Sequence, residues 1–483
     1  MRKSDAKSSQ QNMSCLIKRN IATLMTVPRV LQQRQCATML PSITVNPQSS
    51  FVDDIVAVVA SGLPPNSAVS VGSILRERDK VFQSLGHFVA DQNGRVDLST
   101  QQSHGGSYTG IEPMGLVWSL HPGPDQKKGI GFVKQDVRSP VELMFAVYGD
   151  HLELPSLLSA QPLATTKISR WFMKDTEVER IKVNSGRIRG ILFKPKGPGP
   201  FPAVIDIYGL AGVFTECRAA LLASRGFAVL ALPFFSYEDL PRSYTYLEFE
   251  YFEEATAWLS SKPFVPSDRI GILGMSFGGS LGLEMASRLP QIKAVVAISS
   301  LPIIITHLTY QGKKVPSAHQ PDIRKGYTTE EGFVMKDIFL ADVNDLPQEQ
   351  LISVEKSRAN FLFITGEDDQ NVPSVESARR IVQKLQSHGK TNYEVLSYPG
   401  AGHLLEPPFQ PVGRGLYNAA LGVIVDFGGE MKLHAHACQD AWAKTLSFLR
   451  RHLTTDGGDW QQGTSSKEPG STETHQSSRN SQL

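Results

Sequence analysis

The segment Ile270-Gly271-Ile272-Leu273-Gly274-Met275-Ser276-Phe277-Gly278-Gly279 constrains this chain more than any other. An apolar run enters Gly-x-Ser-x-Gly, and a small-residue helical pattern follows. That context predicts a strand, a sharp turn and a helix, with Ser276 strained at the turn and its hydroxyl held at the helix N-terminus. Gly274 and Gly278 are expected to be glycine because a side chain at either would collide with a neighbouring strand or helix. The five-residue match alone also fits a glycine-rich turn around an ordinary serine, so the surrounding pattern has to decide.

From about Ser169 onward, apolar strands alternate with helical patterns. Strands are expected at Ala203–Tyr208, Phe227–Pro233, Ile270–Gly274, Lys293–Ser299, Phe361–Thr365 and Tyr393–Ser397. Helices are expected near Thr215–Arg225, Phe249–Ser261, Gly278–Leu289, Ser374–Gln386 and Asp440–His452. This rhythm implies βαβ units and a parallel sheet covered on both faces. The stretch Leu301–Ala359 interrupts it and reads as part of a lid. Before it, residues 41–165 carry short alternating strands (Ile55–Val59, Val69–Leu75, Val81–Phe88, Leu143–Tyr148) between turn signals, the pattern of a β-sandwich. Gly105–Trp118 reads as a turn-rich loop entering an apolar strand and packing Trp118 into that sandwich. The division is therefore a leader (1–40), a sandwich (41–165), a catalytic α/β domain (169–455) and a polar tail (456–483).

A serine hydroxyl needs a base, and in a strand–elbow–helix site the acid and histidine follow the serine in chain order. Strand Phe361–Thr365 runs into Gly366-Glu367-Asp368-Asp369, and strand Tyr393–Ser397 leads to Gly402-His403 in a Gly/Pro-rich loop. His403 is the expected general base and then general acid, oriented by an acid of the Glu367–Asp369 cluster. The oxyanion hole is expected from the Phe277 N–H and from the loop Gly209-Leu210-Ala211-Gly212, with Leu210 the chosen donor and Ala211 the alternative. His434 and His436 have a weak metal-like spacing, yet a surface or interface pair fits better. Cys217 reads as core packing, and Lys313, Lys314 and Lys432 as solvent-facing. No metal and no retained cofactor is implied.

Composition narrows the classes. The 483 residues are 41% apolar and 20% charged, with a formal charge of +2, which gives no support for nucleic-acid binding. No apolar run reaches the ~18–20 residues of a membrane span. The four cysteines (Cys15, Cys36, Cys217, Cys438) lack metal or disulfide spacing and are expected as free thiols in a reducing compartment. Between Met1 and Val52 the one acid is Asp5, among seven Lys and Arg residues. Ile17, Ile21, Leu24 and Met25 lie at helical spacing there, as in a mitochondrial presequence; a disordered leader, or untranslated-like sequence upstream of a start at Met25 or Met39, is the alternative. Ser481-Gln482-Leu483 is similar to the peroxisomal Ser-Lys-Leu signal and would engage an import receptor. The expected address is the mitochondrial matrix, the peroxisome or both.

Several longer motifs carry a resemblance. Gly105–Leu120 with Glu112-Pro113-Met114-Gly115, Tyr237-Glu238-Asp239-Leu240-Pro241, Tyr251-Phe252-Glu253-Glu254-Ala255 and Tyr398–Pro408 with His403-Leu404-Leu405-Glu406 occur in order. Together they resemble the acyl-CoA thioesterase type I and bile acid-CoA:amino acid N-acyltransferase family, over about Pro41 to Leu453. The resemblance implies an α/β-hydrolase domain preceded by an Ig-like β-sandwich, an acyl-CoA substrate, CoA as product, and Asp369 as the acid. It also separates two branches, since the conjugating acyltransferases use cysteine at the nucleophile. Ser276 points to the hydrolytic branch, because a serine ester is less reactive to amines than a thioester. Phe277 departs from the thioesterase pattern, where many members have Lys. Ser397–His403 and the Ser-Gln-Leu end resemble the acyltransferases, which keeps conjugation as the alternative. A silent acyl-CoA-binding protein on the same scaffold is the third reading.

Overall fold

The structure is a computed structural model that describes residues 40–210, 214–316, 322–338, 343–419 and 421–454. Its centre is an eight-stranded sheet. We label the strands β1 (Val178–Ser185), β2 (Ile188–Pro195), β3 (Ala203–Ile207), β4 (Ala228–Ala231), β5 (Ile270–Met275), β6 (Ile292–Ile298), β7 (Asn360–Gly366) and β8 (Tyr393–Tyr398). Their order across the sheet is β1-β2-β4-β3-β5-β6-β7-β8. From β4 to β8 every pairing is parallel, while β2 runs antiparallel to both of its neighbours. The β1–β2 hairpin escaped the sequence reading because β1 is polar at most positions and buried at two.

Five helices cover the sheet: α1 (Cys217–Ser224), α2 (Phe249–Ser260), α3 (Phe277–Arg288), α4 (Ser374–Ser387) and α5 (Met431–Leu453). Alternation along the strands sends successive side chains to opposite faces. On β3, Val204 joins the core made with Leu221 of α1 and Leu449 of α5. Its neighbours Ala203 and Ile205 join the core made with Phe252 of α2, Leu281 of α3 and Ile381 of α4. Helix α5 begins nine residues before the expected start at Asp440. The reason is local: Glu430 caps it through bonds from the Lys432 and Leu433 N–H groups, and the Ala-rich first turns are good helix formers. This extension places His434 and His436 on a helix.

The N-terminal part holds two sheets. One has six strands in the order Ser49–Phe51, Ala164–Trp171, Val141–Gly149, Ala68–Glu77, Lys80–Val89 and His121–Pro122; the other has Ser42–Asn46, Ala57–Ser61 and Val96–Asp97. The strand Ala164–Trp171 pairs with Val141–Gly149, so these sheets continue to Trp171, across the expected boundary. Trp118 is buried as expected, but it ends a helical turn (Gly115–Trp118) and not a strand. That turn forms because Val117 and Trp118 donate back to the Met114 carbonyl.

The α1/α5 core is continuous with the sandwich core, since Val45, Phe82 and Trp118 belong to the same cluster as Leu449. Polar bonds fix the same contact. Arg225 and the Trp442 indole N–H both donate to Asp53, the latter at 2.9 Å. Glu112 accepts from Lys432 at 2.8 Å and from His436 at 2.9 Å.

One charge pair lies inside the sheet itself. Asp206, in the apolar strand β3, accepts from Arg218 Nε of α1 at 2.8 Å, and both side chains are about 1% exposed. Removing one partner of such a pair strands the other charge in the interior, at a cost of about 3–5 kcal/mol. Arg218→Met is therefore expected to lower stability by about that amount. The Asp206→Leu/Arg218→Met double variant should recover part of the loss, and urea unfolding midpoints for the three proteins check both statements.

Candidate active site

Ser276 joins β5 to α3 with φ 56° and ψ −127°, a conformation that L residues rarely adopt. Its N–H donates to the Ile298 carbonyl at the end of β6 (2.8 Å), while its carbonyl accepts from Gly279 (2.9 Å). The glycines are required by backbone contact. A Cβ at Gly278 would stand 2.2 Å from the Ile207 carbonyl oxygen and 2.7 Å from that of Tyr208, and one at Gly274 would stand 2.4 Å from the Gly278 oxygen. The elbow is thus pressed between β3 and α3, as the sequence pattern predicts.

The loop after β3 lies against the serine. A Cβ at Gly209 would meet Ser276 Cβ at 2.7 Å and Oγ at 3.1 Å. Leu210 follows, half-buried; Ala211 and Gly212 lie outside the described residues. The Phe277 N–H is the first of α3 and has no intrahelical acceptor. A small hollow open to solvent, lined by Asp206, Tyr208, Gly209, Phe214, Thr215 and Phe235, adjoins the same loop.

Asp369 and His403 meet at the carboxyl ends of β7 and β8. His403 Nδ1 donates to Asp369 Oδ2 at 2.9 Å, and both groups are buried. Asp369 Oδ1 accepts from the Asn371 and Val372 N–H groups at 2.9 and 3.0 Å. A carboxylate held by two backbone donors and facing Nδ1 fixes the imidazole tautomer, leaving Nε2 as the proton acceptor. Asp368 and Glu367 are turned elsewhere. Asp368 takes the Gly429 N–H at 2.8 Å and Glu367 the Ser397 hydroxyl at 2.9 Å. Ser276 reaches this rim by topology, because β5 and β7 flank β6 in parallel. The segment Met335–Lys336, within the expected lid, packs on the loop of Asp369 through two N–H bonds to the Gln370 carbonyl.

Sequence reasoning missed a polar network beneath the elbow. Arg218 stacks 4.0 Å over the Tyr208 ring, and the Tyr208 hydroxyl donates to Glu406 at 3.0 Å. This joins β3, just before Gly209, to the loop carrying His403. Burial pushes the Glu406 carboxyl up, against the pull of Arg218 and the Tyr208 hydroxyl. The available signal was Asp206, a carboxylate inside an otherwise apolar strand, which demands a buried cation. Cys217 is core, as expected; burial pushes its thiol up to about 12.

His434 departs from its expected surface or interface role. It is buried, accepting from Gly402 N–H at Nδ1 (2.9 Å) and bonding the Leu404 carbonyl through Nε2 (3.0 Å). His436 is an interface residue, on Glu112, and so is Lys432, which the sequence reading left to solvent. Lys313 and Lys314 are exposed, as expected. Among the described residues no group of three or more His, Cys, Asp and Glu side chains is arranged to hold a metal ion, and no helix is long and apolar enough to cross a membrane. The remaining cysteines of the leader and the tripeptide Ser481-Gln482-Leu483 lie outside the described residues.

A strained serine at a strand–helix elbow, with an acid and a histidine following it on later strands of this sheet, defines the α/β-hydrolase class. Family models described as "Acyl-CoA thioester hydrolase/BAAT N-terminal region" and "BAAT / Acyl-CoA thioester hydrolase C terminal" match residues 53–185 and 247–455. Acyl-coenzyme A amino acid N-acyltransferase 2 of Mus musculus is 37% identical over 423 residues, covering 87% of this chain and 99% of that protein. Acyl-coenzyme A thioesterase 2, mitochondrial, of Homo sapiens is 36% identical over 450 residues, covering 92% and 90%. Acyl-coenzyme A thioesterase 1 of Homo sapiens is 38% identical over 403 residues, covering 83% and 94%. The chain belongs to the acyl-CoA thioester hydrolase and bile acid-CoA:amino acid N-acyltransferase family.

Two outcomes follow from the geometry. Gly278→Ala is expected to destabilise the fold by about 1–3 kcal/mol, because the new methyl overpacks against two carbonyls. It should also slow labelling of Ser276 by a fluorophosphonate probe. Burial depresses the His434 pKa, with Asp368 and Asp369 opposing that shift. Below the unfolded value near 6.5 the unfolded chain takes up a proton that the folded chain refuses, so this stability is present above that pH and is lost as pH falls towards the folded value. Urea midpoints measured from about pH 8 down to about pH 5.5 should fall more steeply for the wild type than for His434→Gln.

Proposed function

We propose that this protein is an acyl-CoA thioesterase that hydrolyses fatty acyl-CoA, with bile acyl-CoA as the other candidate substrate, to the free acid and CoA. Ser276 Oγ attacks the thioester carbonyl as His403 Nε2 takes its proton, and Asp369 holds the ring and stabilises the imidazolium. The Phe277 and Leu210 N–H groups hold the oxyanion. His403 returns the proton to the departing CoA sulfur. It then deprotonates the water that attacks the acyl-serine and returns that proton to Ser276 Oγ as the free acid departs. The observation that carries this reading is the buried Asp369–His403 pair, set behind a strained serine in a chain of this family.

Conjugation to an amino acid is the second reading, favoured by the 37% identity to a named N-acyltransferase. The serine weighs against it, since an oxygen ester intermediate is a poorer acyl donor to amines than a thioester. Thiol release should be measured across short, medium, long-chain and bile acyl-CoAs, with mass analysis of products with and without glycine or taurine. Free acid is expected to dominate in both conditions, and Ser276→Ala to reduce turnover by at least about 10³-fold while retaining substrate binding. A dominant conjugate would overturn hydrolysis. Activity undiminished in Ser276→Ala would overturn the assigned nucleophile. The basic leader and the Ser-Gln-Leu tripeptide support delivery to mitochondria or peroxisomes; imaging protein tagged at each terminus in turn tests both.

A further inference from the structure

His403 sits between two residues whose backbones are held by one side chain. The Gly402 N–H can only donate, so His434 Nδ1, 2.9 Å away, is unprotonated. The Leu404 carbonyl can only accept, so His434 Nε2, 3.0 Å away, carries the proton. The ring is therefore neutral and in a single tautomer, fixed by geometry. It is 4% exposed and packs where a Cβ at Gly429 would stand 3.0 Å from Nδ1. Helix α5, which carries it, is anchored to the same loop by the Glu430 N–H on the Gly400 carbonyl at 2.8 Å. The N–H of His403 itself donates to the Phe427 carbonyl at 2.8 Å. Consecutive backbone groups at 402, 403 and 404 are thus all tied, two of them by His434.

We infer that His434 is a positioning residue: it clamps the backbone on either side of His403 and so sets where the His403 ring stands relative to Ser276 and Asp369. This rests on the reading of Ser276, His403 and Asp369 given above. A buried histidine with both nitrogens bonded serves many cores without touching chemistry. Here both bonds fall on the immediate neighbours of His403, so any slack appears first at that residue. Displacement of a reacting group by about 1 Å costs about 10²-fold in rate.

The test separates the two bonds. Asn can present an acceptor near the Nδ1 position and keep the Gly402 contact; Gln can present a donor near Nε2 and keep the Leu404 contact; Ala keeps neither. Turnover of the acyl-CoA that wild type hydrolyses fastest, and the rate of Ser276 labelling by a fluorophosphonate, should be measured well below each variant's unfolding transition. His434→Ala is expected to lower kcat and the labelling rate by about 10²-fold, with KM within about threefold of wild type. The Asn and Gln variants should fall between, which is rescue by partial restoration of the clamp. If Ala does not fold, Asn and Gln decide, and wild-type kcat and labelling in both would overturn the inference. Folded variants that lose thermal stability but keep wild-type kcat and labelling would reduce His434 to a structural role. Ser276→Ala runs beside them. If it still turns over substrate, the reading of the site has failed, whatever the His434 variants do; if it is inactive while the folded His434 variants are unimpaired, only the positioning role has failed.

Discussion

The site depends on one close backbone approach. Helix α3 starts so near β3 that the carbonyls of Ile207 and Tyr208 fill the space a side chain at Gly278 would need. That contact fixes the turn at Ser276, forces its φ to 56° and brings Gly209 against the serine side chain. A strained residue persists only where its surroundings over-determine it. Here β6 does so from the other side, by accepting the Ser276 N–H at its Ile298 carbonyl. Ser276, the proposed nucleophile, and the Gly209 backbone beside it are therefore parts of one packing event.

Around the elbow the molecule spends buried polar groups on holding loops. Asp206, Arg218, Tyr208 and Glu406 run from the interior of β3 to the loop after β8, and His434 ties that loop to α5. Bonded buried polar groups fix their neighbours more rigidly than an apolar contact that can slide, even though Asp206 Oδ2 and Arg218 Nη1 make no hydrogen bond. The sandwich enters the same logic. Glu112 meets Lys432 and His436 on the first turns of α5, on either side of His434. The N-terminal sheets thus press the helix that supports the His403 loop, and their core is continuous with that helix.

Much of the architecture was legible along the chain because burial on both faces of a parallel strand leaves a plain signature. Phe361–Thr365 and Ile270–Gly274 read as buried strands and are so. The β1–β2 hairpin was not legible, since its first strand is largely polar and buried at two positions. The start of α5 was hidden for a related reason: Lys432, His434 and His436 break the apolar period, yet two of them pair with Glu112, more than three hundred residues away in sequence. The acid was ambiguous among three adjacent carboxylates, because spacing alone does not orient a side chain.

The sequence by itself determined the elbow, the order of serine, acid and histidine, and the family. Each of these is written in local residue types: glycines where no Cβ fits, apolar runs into strands, and motifs of several consecutive residues. The tertiary structure decided which carboxylate faces His403, because Asp368 and Glu367 are engaged by Gly429 and Ser397. It also decided that Arg218 neutralises Asp206 inside the sheet, and that His434 belongs to the loop of His403 and not to the surface. Such pairings are set by distance after folding, through desolvation and hydrogen-bond geometry, and a linear pattern does not contain them.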